Sequence, residues 1–330
     1  MTEGSAGELS CRQYQETMPP DDNAPKPVRR RGRIVNALSV DVEEHFQVQA
    51  FAGIIQRADW QHLPSRVQQN TEKVLQIFAD ANVKGTFFTL GWIAERNPSL
   101  IRRIVDEGHE LACHGQEHIR VDCQSPAEFR EDIVGAKKTL EDTGSVAVQG
   151  YRAATFSINP TMTWAFDELA NAGFRYSSSI YPVKHDLYGS PDAPRTAFRP
   201  NGLDGALEIP ISTLRLGNRN FPFGGGGYFR LFPYTFAKWG LGRINAKSEM
   251  PCVFYFHPWE VDPQQPRPEG LPLKSRFRHY LNLNRMETRL SRLCRDFEWD
   301  RGWTARGCHQ QQCFDLRSEG KRTNRRHRRL

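Results

Sequence analysis

The sequence predicts an α/β fold, a parallel sheet covered by helices, on three observations. Short apolar runs alternate with segments of helical spacing along most of the chain. Several runs stop at a charged or imidazole side chain, as strands do at a functional face. The 330 residues suffice to bury a sizeable core, in one large domain or two small ones. An open doubly wound sheet and a closed β/α barrel both fit. No Gly-x-Gly-x-x-Gly follows the first run, which argues against a dinucleotide-binding sheet.

Residues 1–33 are polar, then rich in Pro and Arg, with no apolar stretch of a signal peptide, and read as a disordered leader. Residues 34–40 form the first strand and 47–64 a mixed loop. Val67, Val74, Leu75 and Phe78 make 66–82 a helix. A buried strand over 85–90 precedes a helix over 92–107, closed by Gly108, and a strand over 110–113. Ser125 caps a helix over 126–142, with Glu128 completing a capping box. A strand over 146–151 leads to a helix over 160–172 that Gly173 closes. Strands follow over 174–180 and 206–211. Gly224 to Gly227 lack the Lys-Ser/Thr of a phosphate loop and read as a tight or mobile turn. Residues 233–244 are helical, 251–256 are the most apolar strand, and 277–297 form a long amphipathic closing helix. The expected organisation is a leader over 1–33, a barrel over 34–298 including a distinct segment over 258–298, and a basic tail over 299–330.

The formal charge of +7 is a property of the tail, because seven Lys/Arg and one Glu lie between Arg317 and Leu330. The body is near neutral and gives no argument for a nucleic-acid surface. The seven cysteines are odd in number and form no framework, which suits a reducing compartment. Cys308 and Cys313, with His309 between them, make a weak metal-like pattern. No apolar run approaches the length of a membrane span. The expected location is the cytoplasm, or the periphery of an inner membrane.

The first strand ends in Asp41, Glu43, Glu44 and His45. Buried strands rarely finish on clustered acids unless a cation or a reacting proton uses them. Asp41, His114, Arg152 and His257 each follow a predicted strand, and in a β/α barrel such ends converge on one face. His114 and His118, four apart on a helical turn, can reach one ion. Two imidazoles and one carboxylate leave open positions for water and substrate. Strand alternation puts Asp41 and Glu43 on one side, which assigns Glu43 to the metal and Asp41 to proton transfer; Glu44 is the alternative ligand. Arg152 fits as the partner that keeps Asp41 ionised. His257 can protonate a leaving group, and Trp259 is either a sugar-stacking platform or a packing residue.

These motifs resemble the polysaccharide deacetylases of the NodB-homology type, carbohydrate esterase family four, over roughly 34–297. The acidic stretch 39–44, His114-Gly115-Gln116-Glu117-His118, Gly150-Tyr151-Arg152-Ala153-Ala154 and His257-Pro258-Trp259-Glu260 come in the family's order. Segments 85–92, 181–189 and 276–282 resemble the subgroup linked to exosortase (PEP-CTERM) loci for exopolysaccharide. The resemblance implies a distorted, incomplete β/α barrel and a divalent metal, usually zinc, on Glu43, His114 and His118. It implies Asp41 as base, Arg152 as its partner and His257 as acid. A backbone N–H near Tyr151 or Arg152 is expected to hold the oxyanion, which puts Tyr151 with Trp259 among the substrate-binding candidates. The family's Asp that holds the acid histidine is missing from 176–179, so Asp186 or a serine is expected to replace it. The implied reaction is removal of N-acetyl groups from an N-acetylhexosamine polysaccharide. The rivals are cyclic-amide hydrolysis of the allantoinase type and a non-catalytic carbohydrate-binding barrel.

Overall fold

The computed structural model describes residues 27–201, 205–248 and 250–302. Arg29–Arg30 (β1) folds back antiparallel on Arg33–Val42 (β2), the ten-residue strand on which the sheet is built. Thr86–Thr89 (β3), Glu110–Cys113 (β4), Gly150–Tyr151 (β5), Tyr176–Ser177 (β6) and Leu207–Glu208 (β7) follow on one side, all parallel. Thr213–Leu216 (β8) and Arg219–Pro222 (β9) form a separate antiparallel hairpin. Val253–Phe256 (β10) and Glu298–Asp300 (β11) return to pair in parallel with β2. Beyond β7, the Ser212 hydroxyl accepts from the Val253 N–H at 2.7 Å, so the sheet curls back toward β10 as a distorted, incomplete barrel.

Helices cover the outside: Val67–Asp80 (α1), Gly91–Arg96 (α2), Pro98–Asp106 (α3), Pro126–Gly144 (α4), Thr163–Asn171 (α5), Gly226–Leu231 (α6), Tyr234–Ser248 (α7), Leu273–Tyr280 (α8) and Leu283–Asp296 (α9). The Ser125–Glu128 capping box of α4 is present. The period of two along β2 splits its side chains between layers. Leu38, Val40 and Val42 join Phe78, Phe87 and Phe256 beneath the helices, whereas Val35 and Ala37 pack with Phe88, Tyr176 and Tyr255 inside the curl. That parity turns Ser39 and Asp41 inward.

Several boundaries differ from the sequence reading. Order begins before residue 33, because β1 pairs with β2. The helix expected over 92–107 is broken between α2 and α3, where Pro98 supplies no N–H and excludes helical geometry at Asn97. The expected closing helix breaks at Asn282, whose φ is 52°. Gly226 opens α6 rather than lying in a turn. The tail boundary at 299 cuts through β11, where Trp299 is 1% exposed and donates to the Leu293 carbonyl at 2.9 Å. Residues 1–26 of the leader, the basic tail beyond 302 and the Cys308–His309–Cys313 pattern lie outside the described residues. Among the described residues no helix is long and apolar enough to cross a membrane.

His109, which follows α3, accepts the Gly85 N–H at 3.1 Å through Nδ1 and packs on Phe78 and Phe87. Burial pushes its pKa down to about 3. The unfolded chain therefore takes up a proton below pH 6.5 that the folded chain refuses, and stability falls from there toward pH 3. His109→Asn, which keeps an acceptor for Gly85, should flatten this acid slope by on the order of a few kcal/mol across that range, read by urea unfolding at stepped pH.

Candidate active site

Asp41 sits at the end of β2, 2% exposed. Its Oδ1 accepts from Arg152 Nη1 at 2.5 Å. Arg152, at the end of β5, is 1% exposed and held from every side. Nη1 also donates to Ser39 Oγ at 2.9 Å, Nε to the Ser178 carbonyl at 3.0 Å and Nη2 to Ser178 Oγ at 3.0 Å, while the guanidinium lies 4.0 Å over the Phe88 ring. Of the serines at 177–179, the expected source of a partner for His257, Ser178 holds Arg152 instead. Asp41 Oδ2 is left facing His257 Nε2, 4.0 Å away.

Glu43, His114 and His118 bring one donor atom each within 4.8 Å of one another, all three buried. His114 Nδ1 lies 2.7 Å from the Arg152 carbonyl, a pure acceptor, so Nδ1 carries the proton and Nε2 presents a lone pair. Burial lowers the pKa of His114 and, more strongly, of His118, which keeps both imidazoles neutral. The two histidines do not share a helical turn. Residues 114–120 form a loop in which Gly115 has φ 82° and His118 φ 54°. Glu43 Oε2 lies 3.0 Å from His118 Nε2 yet has no hydrogen-bond partner. Burial pushes the Glu43 pKa up to about 7, against the pull of His257. A buried carboxylate with an orphaned oxygen, next to two neutral imidazoles, is the donor set a divalent cation fits.

Glu44 is turned away from this cluster. Its carboxylate accepts from Ser65 Oγ at 2.5 Å, from the Arg66 N–H at 2.9 and 3.0 Å and from the Val67 N–H at 3.1 Å, which caps the start of α1. His45 packs against Phe46 with its ring centroid 5.1 Å away.

His257 follows β10, its side chain 21% exposed. Nδ1 lies 3.0 Å from Glu260 Oε1, and Nε2 points at Glu43 Oε1 at 3.4 Å. Burial alone would lower its pKa, but Glu43, Glu260 and Asp41 outweigh it and raise it to about 9. Glu260, named in the sequence only as the end of a motif and given no role there, is thus the partner of His257. Asp186 instead pairs with Lys274 and Arg278 at 2.6 and 2.8 Å. Glu260 is held in turn by Arg230 Nε at 2.6 Å, and both are buried. Although burial raises the Glu260 pKa, Arg230 and His257 bring it down to about 2. A Cβ at Gly226 would lie 2.3 Å from Glu260 Oε1, which accounts for glycine at the start of α6.

Two candidates are corrected. Tyr151 is 1% exposed and packs on Phe129 and Phe174, outside the cleft, because strand parity sends it to the helix layer. The Arg152 N–H is engaged by the Cys113 carbonyl at 2.9 Å and the Ala153 N–H by Ser179 Oγ at 2.9 Å, so neither is free for an oxyanion. Trp259 offers no open face to a sugar. It stacks on His257 and His279 with centroids 4.9 and 4.2 Å away, and its Nε1 donates to Glu43 Oε1 at 3.3 Å. The cleft shared by these groups measures about 380 Å³ and is walled by Phe156, Tyr188, Tyr228 and Tyr255.

Residues 60–177 match the family model "Polysaccharide deacetylase", and residues 178–305 match "Domain of unknown function (DUF3473)". The chain is 31% identical over 102 residues to a chitooligosaccharide deacetylase of a Bradyrhizobium species, covering 31% of this chain and 44% of that one. It is 32% identical over 71 residues to a peptidoglycan-N-acetylglucosamine deacetylase of Bacillus cereus, covering 22% and 33%. It therefore spans less than half the length of these curated relatives. The fold is similar to a Mycobacterium smegmatis chain described as a candidate polysaccharide deacetylase (TM-score 0.52, 18% identity, 89% and 94% covered). It is equally similar to the allantoinase PuuE (TM-score 0.52, 15% identity, 88% and 93% covered).

Proposed function

We propose, from the premise that this chain carries a polysaccharide deacetylase domain, that it hydrolyses the acetamide of an N-acetylhexosamine unit in a polysaccharide and releases acetate. The observation that carries this reading is one cleft holding Glu43, His114 and His118 beside the Asp41–Arg152 and His257–Glu260 pairs. A divalent ion on that triad, zinc by the chemistry of its donors, would supply an activated water and polarise the acetamide carbonyl.

The chain's own residues do the proton work. Arg152 occupies Asp41 Oδ1 and orients the carboxylate, so Oδ2 is the atom that takes the proton from water. Glu260 fixes the His257 ring through Nδ1, leaving Nε2–H to protonate the departing amine. Water adds to the carbonyl carbon, the C–N bond breaks, and acetate and a free amine leave. The motifs at 85–92, 181–189 and 276–282 favour a bacterial exopolysaccharide as the substrate.

The test is acetate release from N-acetylglucosamine oligomers and from exopolysaccharide, before and after chelation. Activity should vanish with chelator and return with zinc. Full activity after exhaustive chelation, or in His114→Ala, overturns the reading. Glu43→Ala should weaken zinc binding more than about 100-fold in calorimetric titration, since even outer residues cost about 10–100-fold. Glu44→Ala should leave zinc affinity unchanged and cost about 1–2 kcal/mol of stability, the value of a lost helix cap.

A further inference from the structure

The mouth of the cleft carries a feature that deacetylation of a dissolved polymer does not need. Three separate segments place large apolar side chains there in solvent: Leu187 before the cleft wall, Leu231 at the end of α6 and Phe277 on α8 all line it, at 43%, 44% and 58% exposure. Leu273, one turn before Phe277 on the same face of α8, is the most exposed large hydrophobic among the described residues, at 83%. The same segments expose Lys184, Lys274, Arg276 and Arg278; Lys274 and Arg278 share the carboxylate of Asp186, so positive charge stays in excess and Lys184 and Arg276 face solvent. The inner side of α8 is anchored, with His279 4% exposed and the Arg278, His279 and Leu281 carbonyls all bonded to Arg230.

We propose that this rim docks on an anionic lipid bilayer, so that the glycan is deacetylated while it is held at a membrane surface. This rests on the deacetylase reading above. An exposed helix with apolar and basic side chains together lies in the plane of a lipid interface, its apolar residues in the acyl boundary and its cations among anionic headgroups. Sugar rings stack on aromatic faces, and three of these four side chains are leucines, which have none. A protein partner seated on a ring around the cleft would block the entrance. A bilayer that carries the substrate both covers the ring and feeds the cleft.

The experiment is sedimentation of the full chain with phosphatidylcholine vesicles, with and without phosphatidylglycerol, for wild type, Leu273→Glu and Leu273→Glu/Phe277→Glu. Wild type should bind the phosphatidylglycerol vesicles, less so with added salt, and the double variant at least tenfold more weakly. Leu273→Glu should still release acetate from soluble N-acetylglucosamine oligomers at the wild-type rate. No vesicle binding, or binding that the double variant retains through another surface, overturns the proposal. So does a wild-type dimer that the variants dissolve, with no vesicle binding, since the rim is then a contact between copies. If wild type binds vesicles but cleaves no oligomer, the deacetylase reading fails and the docking surface stands.

Discussion

Asp41→Asn should slow acetate release by about 10²–10⁴-fold, the usual worth of a positioned general base, with little change in KM for short oligomers. Asparagine keeps the shape of the side chain and an acceptor for Arg152, so the cleft keeps its form while the proton has nowhere to go. The substitution also leaves Arg152 as a buried cation whose remaining hydrogen bonds go to neutral groups, Ser39 and Ser178. A stability loss of about 3–5 kcal/mol accompanies the removal of one member of such a pair. The rate must therefore be read below the melting transition of the variant. Activity within a few-fold of wild type on folded protein removes Asp41 from the proton-transfer role.

Arg230→Met should cost as much stability as Asp41→Asn, about 3–5 kcal/mol in urea unfolding. It strips the buried Glu260 of its strongest counter-charge and leaves three backbone carbonyls around the end of α8 without a donor. Adding Glu260→Gln should recover part of that loss, because an uncharged pair costs less to bury. The double variant should be slow even where it is folded, because the carboxylate partner of His257 is gone. Without the Glu260 carboxylate, one of the groups that hold the His257 pKa up against burial is lost, while Glu43 and Asp41 still act, so the pKa falls from about 9. The sign follows: an acid must be protonated to act, so the alkaline limb of kcat/KM moves to lower pH. An alkaline limb that stays in place separates Glu260 from the function of His257.

Most of what places the site was legible in the sequence. Asp41, His114, Arg152 and His257 each terminate an apolar run, and a parallel sheet carries such ends to one face. The parity of β2 separated Glu43 from Glu44, although only the start of α1 explains what Glu44 does instead. What supports the site was less legible. The His257–Glu260 pair has a local signal, since a Pro at the first helical position and a Glu at the third mark a capping arrangement. Arg230 has none, because it reaches Glu260 from 30 residues away through the packing of α6. Aromatic character alone does not distinguish a stacking platform from a core residue: Tyr151 lies outside the cleft, and of the two roles open to Trp259 the structure shows packing. Trp259 is consumed by two imidazoles that only the fold brings to it.

The long strand β2 also constrains how the chain is made. Its partners β10 and β11 emerge from the ribosome more than 200 residues after it, so β2 waits for strands made much later. Pairings this distant in sequence close slowly, and the waiting edge is exposed during synthesis. A fragment ending at residue 177 should not form an independent unit, because β6 pairs with β7 across that point and β2 would lack β10 and β11. Nascent β2, with nine buried residues in a row, is the segment for which a chaperone has most to do.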